Sequence, residues 1–302
     1  MTAISARTAE PHPARTDLSP AGLLAAIVDD FRASATRRRG LAGERVIDTP
    51  AVLAHVTSVH SADVNQVVRA RLGGGRADVE GAIDVDAAIE VDAAIAATIR
   101  EFGGRPFLWW VGPGDEPADL TDRLVAHGVG FLDEIPGMAL DLADLADETA
   151  SPPPAELTIT PALDAAAIDD FNAVLSHGFP EDFGDDDATA AIAAGTAKVA
   201  AESGYREPSG LPTRWIGSVA GRPVATARLH TAAGVAGVYT VVTVTDARRR
   251  GYGAAMTRRA LLAARDTGLR VATLQASDAG RGIYGRMGFR TICRFRIHEW
   301  QP

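Results

Sequence analysis

Three arginines stand directly before a Gly-x-Gly in Arg248-Arg249-Arg250-Gly251-Tyr252-Gly253, and an alanine-rich run of helical character follows. The first turn of a helix leaves backbone N–H groups without acceptors and carries partial positive charge. Glycine removes the Cβ atoms that would hold an anion at a distance. Arginine adds forked donors that match phosphate oxygens. Together these residue types make a cradle for a pyrophosphate. Two familiar phosphate loops do not fit: a Walker A loop needs Gly-Lys-Ser/Thr, and a dinucleotide fingerprint needs a small residue where Met256 stands. The tetrapeptide recurs at Arg37-Arg38-Arg39-Gly40, but there it follows a helix-like stretch rather than a β-branched strand. That copy reads as a solvated basic turn.

The elements around the loop can be read from pattern. Residues 157–163 and 213–219 predict strands, and 223–231 predicts the second arm of a hairpin across Ala220-Gly221-Arg222. Residues 236–245 are a β-branched run leading into the arginines. Residues 164–179 predict a helix capped by Asp164. Residues 251–268 predict another, with Met256, Leu261 and Leu262 buried and Gly268 as its stop. A strand at 270–277, a short helix through Tyr284 and a final strand at 289–300 complete this part. The earlier part predicts strands at 63–72, 106–113 and 138–142, with helices at 84–103 and 118–128. Residues 123–131 echo 283–289, each a helix ending at glycine before an aromatic, which is compatible with a diverged duplication.

Residues 1–19 lack a hydrophobic period and read as a flexible tail. Three consecutive prolines at 152–154 make 147–156 a linker. The domains expected are therefore 20–146 and 157–302. With 302 residues, 46 % hydrophobic and 23 % charged, the chain has the composition of a soluble globular protein. A formal net charge of -9 argues against a general nucleic-acid coat. The apolar stretch 21–28 is too short to span a bilayer, so no membrane partner and a cytoplasmic location are expected. Cys293 is the lone cysteine, and no histidine spacing suits a metal. The Ala, Arg and Gly usage resembles that of a GC-rich bacterial genome.

The loop resembles the acyl-CoA loop of the GNAT (GCN5-related) acetyltransferase superfamily, Gln/Arg-x-x-Gly-x-Gly/Ala, and Tyr284 followed four residues later by Gly288-Phe289 extends the match. The resemblance spans 213–300 and implies the GNAT fold, a mixed, mostly antiparallel sheet flanked by helices, and acetyl-CoA as co-substrate with no metal. The whole chain resembles a tandem GNAT protein with a degenerate amino-terminal half, because no arginine loop follows a strand there and Ala126 stands where the tyrosine would be. That half is expected to bind no acyl-CoA and to shape the acceptor cleft.

By resemblance, Val241, Val242, Thr243 and Val244 hold the pantetheine arm on a splayed strand. The amides of Arg249, Arg250, Gly251, Tyr252, Gly253 and Ala254 hold the pyrophosphate, while Arg248 is as much structural as ligand-binding. Tyr284 is the general acid that protonates the leaving thiolate, or else a ring that only packs on the co-substrate. Ser277 stands where many relatives have a cofactor-binding asparagine, with Gln275 nearby. An amine of pKa ~10.4 must also lose a proton at a cost of ~4–5 kcal/mol near neutral pH. His230 is the tentative base, beside Asp246 and Glu299, unless it is merely packed. Residues 180–191 could draw a cationic amine or be a solvated acidic loop, and Trp109, Trp110 and Trp215 could line a pocket or the core. The expected activity is acetyl transfer to a small-molecule or peptide amine by direct attack. A non-catalytic acyl-CoA sensor and a dinucleotide-binding module are the alternatives, and a homodimer is left open.

Overall fold

The computed structural model describes residues 12–73, 85–178, 186–207 and 210–302. Its first half runs α1 (Pro20–Ala35), β1 (Arg45–Asp48), β2 (Val52–Val56), β3 (Gln66–Ala70), α2 (Val85–Glu101), β4 (Phe107–Val111), α3 (Leu120–Ala126) and β5 (Gly130–Asp141). The second runs β6 (Leu157–Pro161), α4 (Ala165–Gly178), α5 (Asp186–Glu202), β7 (Arg214–Val219), β8 (Arg222–His230), β9 (Ala236–Thr243), α6 (Tyr252–Arg265), β10 (Val271–Gln275), α7 (Asp278–Arg286) and β11 (Arg290–Trp300). Most boundaries lie within a few residues of the predicted ones, and Asp164 caps α4 by accepting from the Ala167 amide at 2.8 Å. Met256, Leu261 and Leu262 are buried as periodicity predicts, each such side chain being worth ~1.5–3 kcal/mol.

The eleven strands of the described residues join one sheet in the order β1-β2-β3-β4-β11-β5-β10-β9-β8-β7-β6. The two halves exchange their last strands. β11 lies antiparallel between β4 and β5, while β5 lies antiparallel between β11 and β10. β3 runs parallel to β4 as β9 runs parallel to β10, so the halves share one plan about the β5–β11 seam. Gly128 and Gly288, with φ of 80° and 100°, turn the chain from α3 and α7 into those central strands. The apolar faces form one core under α4 and α6 and another under α2 and α3. A third gathers around α1, where Phe31 meets Trp110 and Phe295.

Several local expectations need correction. β5 is far longer than 138–142: Asp133, Glu134 and Pro136 interrupt its apolar run, and the hydrophobic residues before them, Phe131 and Leu132, are exposed rather than core. The short β1–β2 hairpin has no counterpart among the expected elements. Residues 12–19 are assigned above to a tail, whereas the Arg15 amide donates to the Gly234 carbonyl at 2.9 Å and its guanidinium pairs with Asp29 at 2.6 Å. Residues 1–11 of that tail and 180–185 of the acidic segment lie outside the described residues. The linker runs along α6, with Arg265 donating to the Asp147 carboxylate at 2.5 Å and Arg258 to the Ser151 carbonyl at 3.4 Å.

Candidate active site

β9 and β10 pair only at Ala236↔Ala272 and Gly237↔Thr273, while β9 stays bonded to β8 out to Thr243 and β10 to β5 along its length. A wedge therefore opens between β9 and β10 beyond Gly237. A bulge in β9 accompanies the opening. The β8 partners jump from Thr226↔Val242 to Arg228↔Tyr239, and Thr240 takes φ 47°, a strained value for a β-branched residue. Its carbonyl accepts from Thr226 Oγ1 at 3.0 Å. The bulge bends the strand away and leaves backbone groups of 238–243 along an unpaired edge.

The wedge leads to the arginine loop. Gly251, the N-cap of α6, has φ 84°, and Arg249 has φ 65°. Among the described residues, no acceptor meets the amides of Arg249, Arg250, Gly251, Tyr252, Gly253 or Ala254, whereas the Arg248 and Ala255 amides on either side are bonded. A Cβ on Gly253 would stand 3.7 Å from Val241 and 3.8 Å from Thr243, inside the gap between helix and strand. Arg248 is structural: it donates to the Thr243 carbonyl at 3.0 Å and the Gly178 carbonyl at 2.8 Å, tying β9 to α4. Arg249 and Arg250 are exposed. Tyr252 turns inward, its hydroxyl donating to Glu156 at 2.9 Å, so only its backbone faces the loop. Val242 and Val244 point into the core, while Val241 lines the wedge.

The other copy of the loop is not the solvated basic turn expected from sequence. The Glu44 carboxylate accepts from the Arg39, Gly40 and Leu41 amides and from His55. The turn is an anion nest filled by the chain's own carboxylate. Arg37 pairs with the buried Glu207 at 2.8 Å.

A cavity of about 430 Å³ occupies the wedge and continues between the halves. Tyr239, Val241, Gln275, Ser277 and Tyr284 line it from the second half, and Gln66 and Trp110 from the first. Burial raises the Tyr284 phenol, partly offset by a hydrogen bond with Thr257, so it stays protonated well past neutral pH. A Cβ on Gly280 would lie 2.7 Å from Cε2 of Tyr284, so that glycine makes room for the ring. Ser277 caps α7 by accepting from the Gly280 amide at 3.3 Å. Gln275 Nε2 is buried without a partner, the one feature here that strand alternation towards the wedge could have singled out.

His230 is not brought to the cavity. It is buried, its Nδ1 is 3.4 Å from Asp30, and it does not line the space that holds Tyr284. Asp246 is paired with Arg222 at 2.6 Å on the surface, and Glu299 accepts from Gln301 at 2.6 Å. Neither reaches the cavity. Among the described residues, the lining carboxylates are Asp63 and Asp133, both from the first half. Trp109 and Trp215 are core residues, and Trp110 alone of the three lines the cavity. Burial pushes Cys293 up to about 11, which leaves it a neutral thiol.

The first half has the same bulge and splay, and its wedge is filled. β3 pairs with β4 only at Gln66↔Leu108 and Val67↔Trp109. Beyond them the chain leaving β4 folds back: Asp115 accepts from the Ala70 amide at 3.1 Å, the Gly112 amide at 2.8 Å and Arg32 at 3.3 Å. The Glu116 amide then donates to the Ala70 carbonyl at 2.8 Å. No group of three or more His, Cys, Asp or Glu among the described residues could hold a metal, and no described helix is long and apolar enough to cross a membrane.

Residues 213–292 match the family model for the acetyltransferase (GNAT) domain. The whole chain is similar in structure to a GCN5-related N-acetyltransferase from Kribbella flavida, at 20 % identity and TM-score 0.61, over 95 % of this chain and 97 % of that one. It is also similar to one from Sphaerobacter thermophilus, at 14 % identity and TM-score 0.59, over 96 % and 95 % of the two chains. A tandem GNAT protein from the clavulanic acid biosynthesis pathway matches over 96 % and 97 %, at 13 % identity and TM-score 0.54. No curated protein matches the sequence.

Proposed function

We propose that this chain, which has the tandem GNAT fold and matches the GNAT acetyltransferase domain model over residues 213–292, moves an acetyl group from acetyl-CoA to an amine, in the cytoplasm, at the wedge between β9 and β10. The observation that carries this reading is one continuous path: unpaired amides at 249–254, an open strand edge at 238–243, and the half-buried phenol of Tyr284 lining the cavity in the wedge. Each charge–dipole contact to a diphosphate is worth only ~0.3–1 kcal/mol, up to ~2 when partly buried, so six adjacent amides act together. The orphaned Gln275 Nε2 gives the pantetheine arm a donor where Ser277 is engaged as a cap.

In this reading the acceptor amine attacks the thioester carbonyl, a C–N bond forms and the C–S bond breaks. The sulfur leaves with the proton of Tyr284. The proton lost by the amine passes to Asp63 or Asp133, in place of the His230 assigned from sequence, and solvent reprotonates the phenol. A direct attack is the proposal, supported by the state of the only cysteine, a half-buried thiol that burial keeps neutral.

The first half is proposed to bind no acyl-CoA, because Asp115 and Glu116 occupy its wedge. Calorimetric titration of the full chain with acetyl-CoA should give one site per chain. Two equivalent sites would contradict the plug, and none would contradict the reading. Binding without turnover across a broad amine panel would assign an acyl-CoA sensor instead.

A further inference from the structure

A second, smaller cavity of about 70 Å³ adjoins the first and is ringed by Arg37, Arg38, Arg39, Arg214 and Arg228. Ser34, Arg39 and Arg228 line both spaces. In a chain of net charge -9, five guanidiniums around so small a volume need an explanation. Arg37 and Arg38 have salt-bridge partners in Glu207 and Glu202, and Arg39 feels Asp63 and Glu44. Arg214 and Arg228 have no carboxylate at salt-bridge distance among the described residues, and Glu207, which is paired with Arg37, attracts both from farther away. They are also direct cross-strand partners in the β7–β8 register, where like charges repel. Neither Nε has a hydrogen-bond partner, and both are buried. Arg228 donates to Ser34 Oγ at 3.2 Å and Arg214 to Thr213 Oγ1 at 3.0 Å; their guanidiniums lie over the Tyr239 and Phe171 rings. Burial, then the neighbouring arginines, push Arg228 down to about 9, and burial with Arg37 pushes Arg214 to about 10. Both remain cations at neutral pH, so the cluster stores repulsion that an anion would relieve.

We propose that the arginine-ringed cavity binds an oxyanion, carboxylate or phosphate, carried by the acetyl acceptor, so that the substrate is an amine with an acidic group at its far end. The inference rests on the acetyl-transfer reading for its geometry. Asp133 lines the space that holds Tyr284 and takes the ammonium end, Asp63 lies near Arg39, and Arg39, Arg214 and Arg228 take the anionic end. The forked guanidinium suits both oxyanions. The segment 180–191, read from sequence as a lure for a cationic amine, plays no part in it.

The test uses butylamine, 4-aminobutanoate and 3-aminopropyl phosphate as acceptors with acetyl-CoA and the full chain. The wild type should favour the better of the two anionic amines over butylamine by at least about tenfold in kcat/KM, the larger rate naming the head group. In Arg214→Gln that preference should fall towards unity. Equal use of all three, or a preference untouched by Arg214→Gln and Arg39→Gln, would overturn the proposal while leaving acetyl transfer intact. Thermal unfolding without acetyl-CoA separates the two claims. 4-Aminobutanoate or 3-aminopropyl phosphate should raise the wild-type midpoint saturably and leave Arg214→Gln unmoved, a result that supports the anion site even where no acetyl transfer is seen. No shift with either compound, together with no anionic preference, overturns it. Unliganded Arg214→Gln should also melt higher than the wild type. A guanidinium kept only for structure would make that variant melt lower. Arg39→Gln supplies the same comparison from the loop side should Arg214→Gln fail to fold.

Discussion

Replacing Tyr284 by phenylalanine is expected to lower kcat for acetyl transfer by about 100- to 10,000-fold while KM for acetyl-CoA stays within about threefold, as befits a group that acts only in the transition state. The ring keeps its edge contact with Phe289, 5.9 Å between centroids, and fills the same space against Gly280, so the fold should not change. What is lost is one O–H. Burial raises the phenol above its ordinary value, so the proton donor is present at neutral and mildly alkaline pH. The wild-type rate should therefore show no alkaline loss below about pH 10 from this group. Steady-state kinetics across pH measure both quantities. Equal falls in affinity and rate, or an unchanged kcat, would demote Tyr284 to a packing residue.

Asp30→Ala is expected to cost ~3–5 kcal/mol of stability, since it strips the partner from several buried polar groups at once. Asp30 is fully buried on α1. It accepts from Tyr239 at 2.7 Å and Thr273 at 2.8 Å, and its other oxygen is 3.4 Å from His230. Those residues sit on β9, β10 and β8, where the wedge begins. A Cβ on Gly237 would lie 2.2 Å from an Asp30 oxygen, so glycine at the last paired position of β9 is what lets the carboxylate reach the apex. The carboxylate thus bridges the two strands just as their own ladder stops. Asp30→Asn keeps an acceptor for Tyr239 and Thr273 and should recover most of the loss. Urea unfolding of both variants checks this, and equal stability of Asp30→Ala and wild type would remove the network from the account.

How much of this was legible in the sequence follows from how local each signal is. The Arg248–Gly253 loop, Tyr284 and the strands around them lie within one stretch, and their periodicity and residue types suffice to order them. Strand exchange is not of that kind. Nothing in residues 130–141 says that they pair with β10 rather than with their own half, because antiparallel pairing depends on partners over a hundred residues away. The late strand position of His230 suggests the cleft, yet the side chain meets Asp30 of α1 instead. Arg37–Gly40 shows the converse: the short pattern is present, but Glu44, four residues beyond it, takes the anion's place. Arg214, at the start of β7, and Arg228, near the end of β8, are cations on largely small or apolar strands. Their meaning appears only when the register sets the two opposite each other.

The central claim is that acetyl-CoA lies in the β9–β10 wedge with its diphosphate on the amides of 249–254. A crystal structure of the full chain with acetyl-CoA tests it most directly. The account predicts density for one coenzyme per chain, its diphosphate against Gly251 and Gly253, its arm along Val241 and its sulfur beside the Tyr284 hydroxyl. A coenzyme bound between β3 and β4, or a diphosphate anchored away from the start of α6, would contradict it.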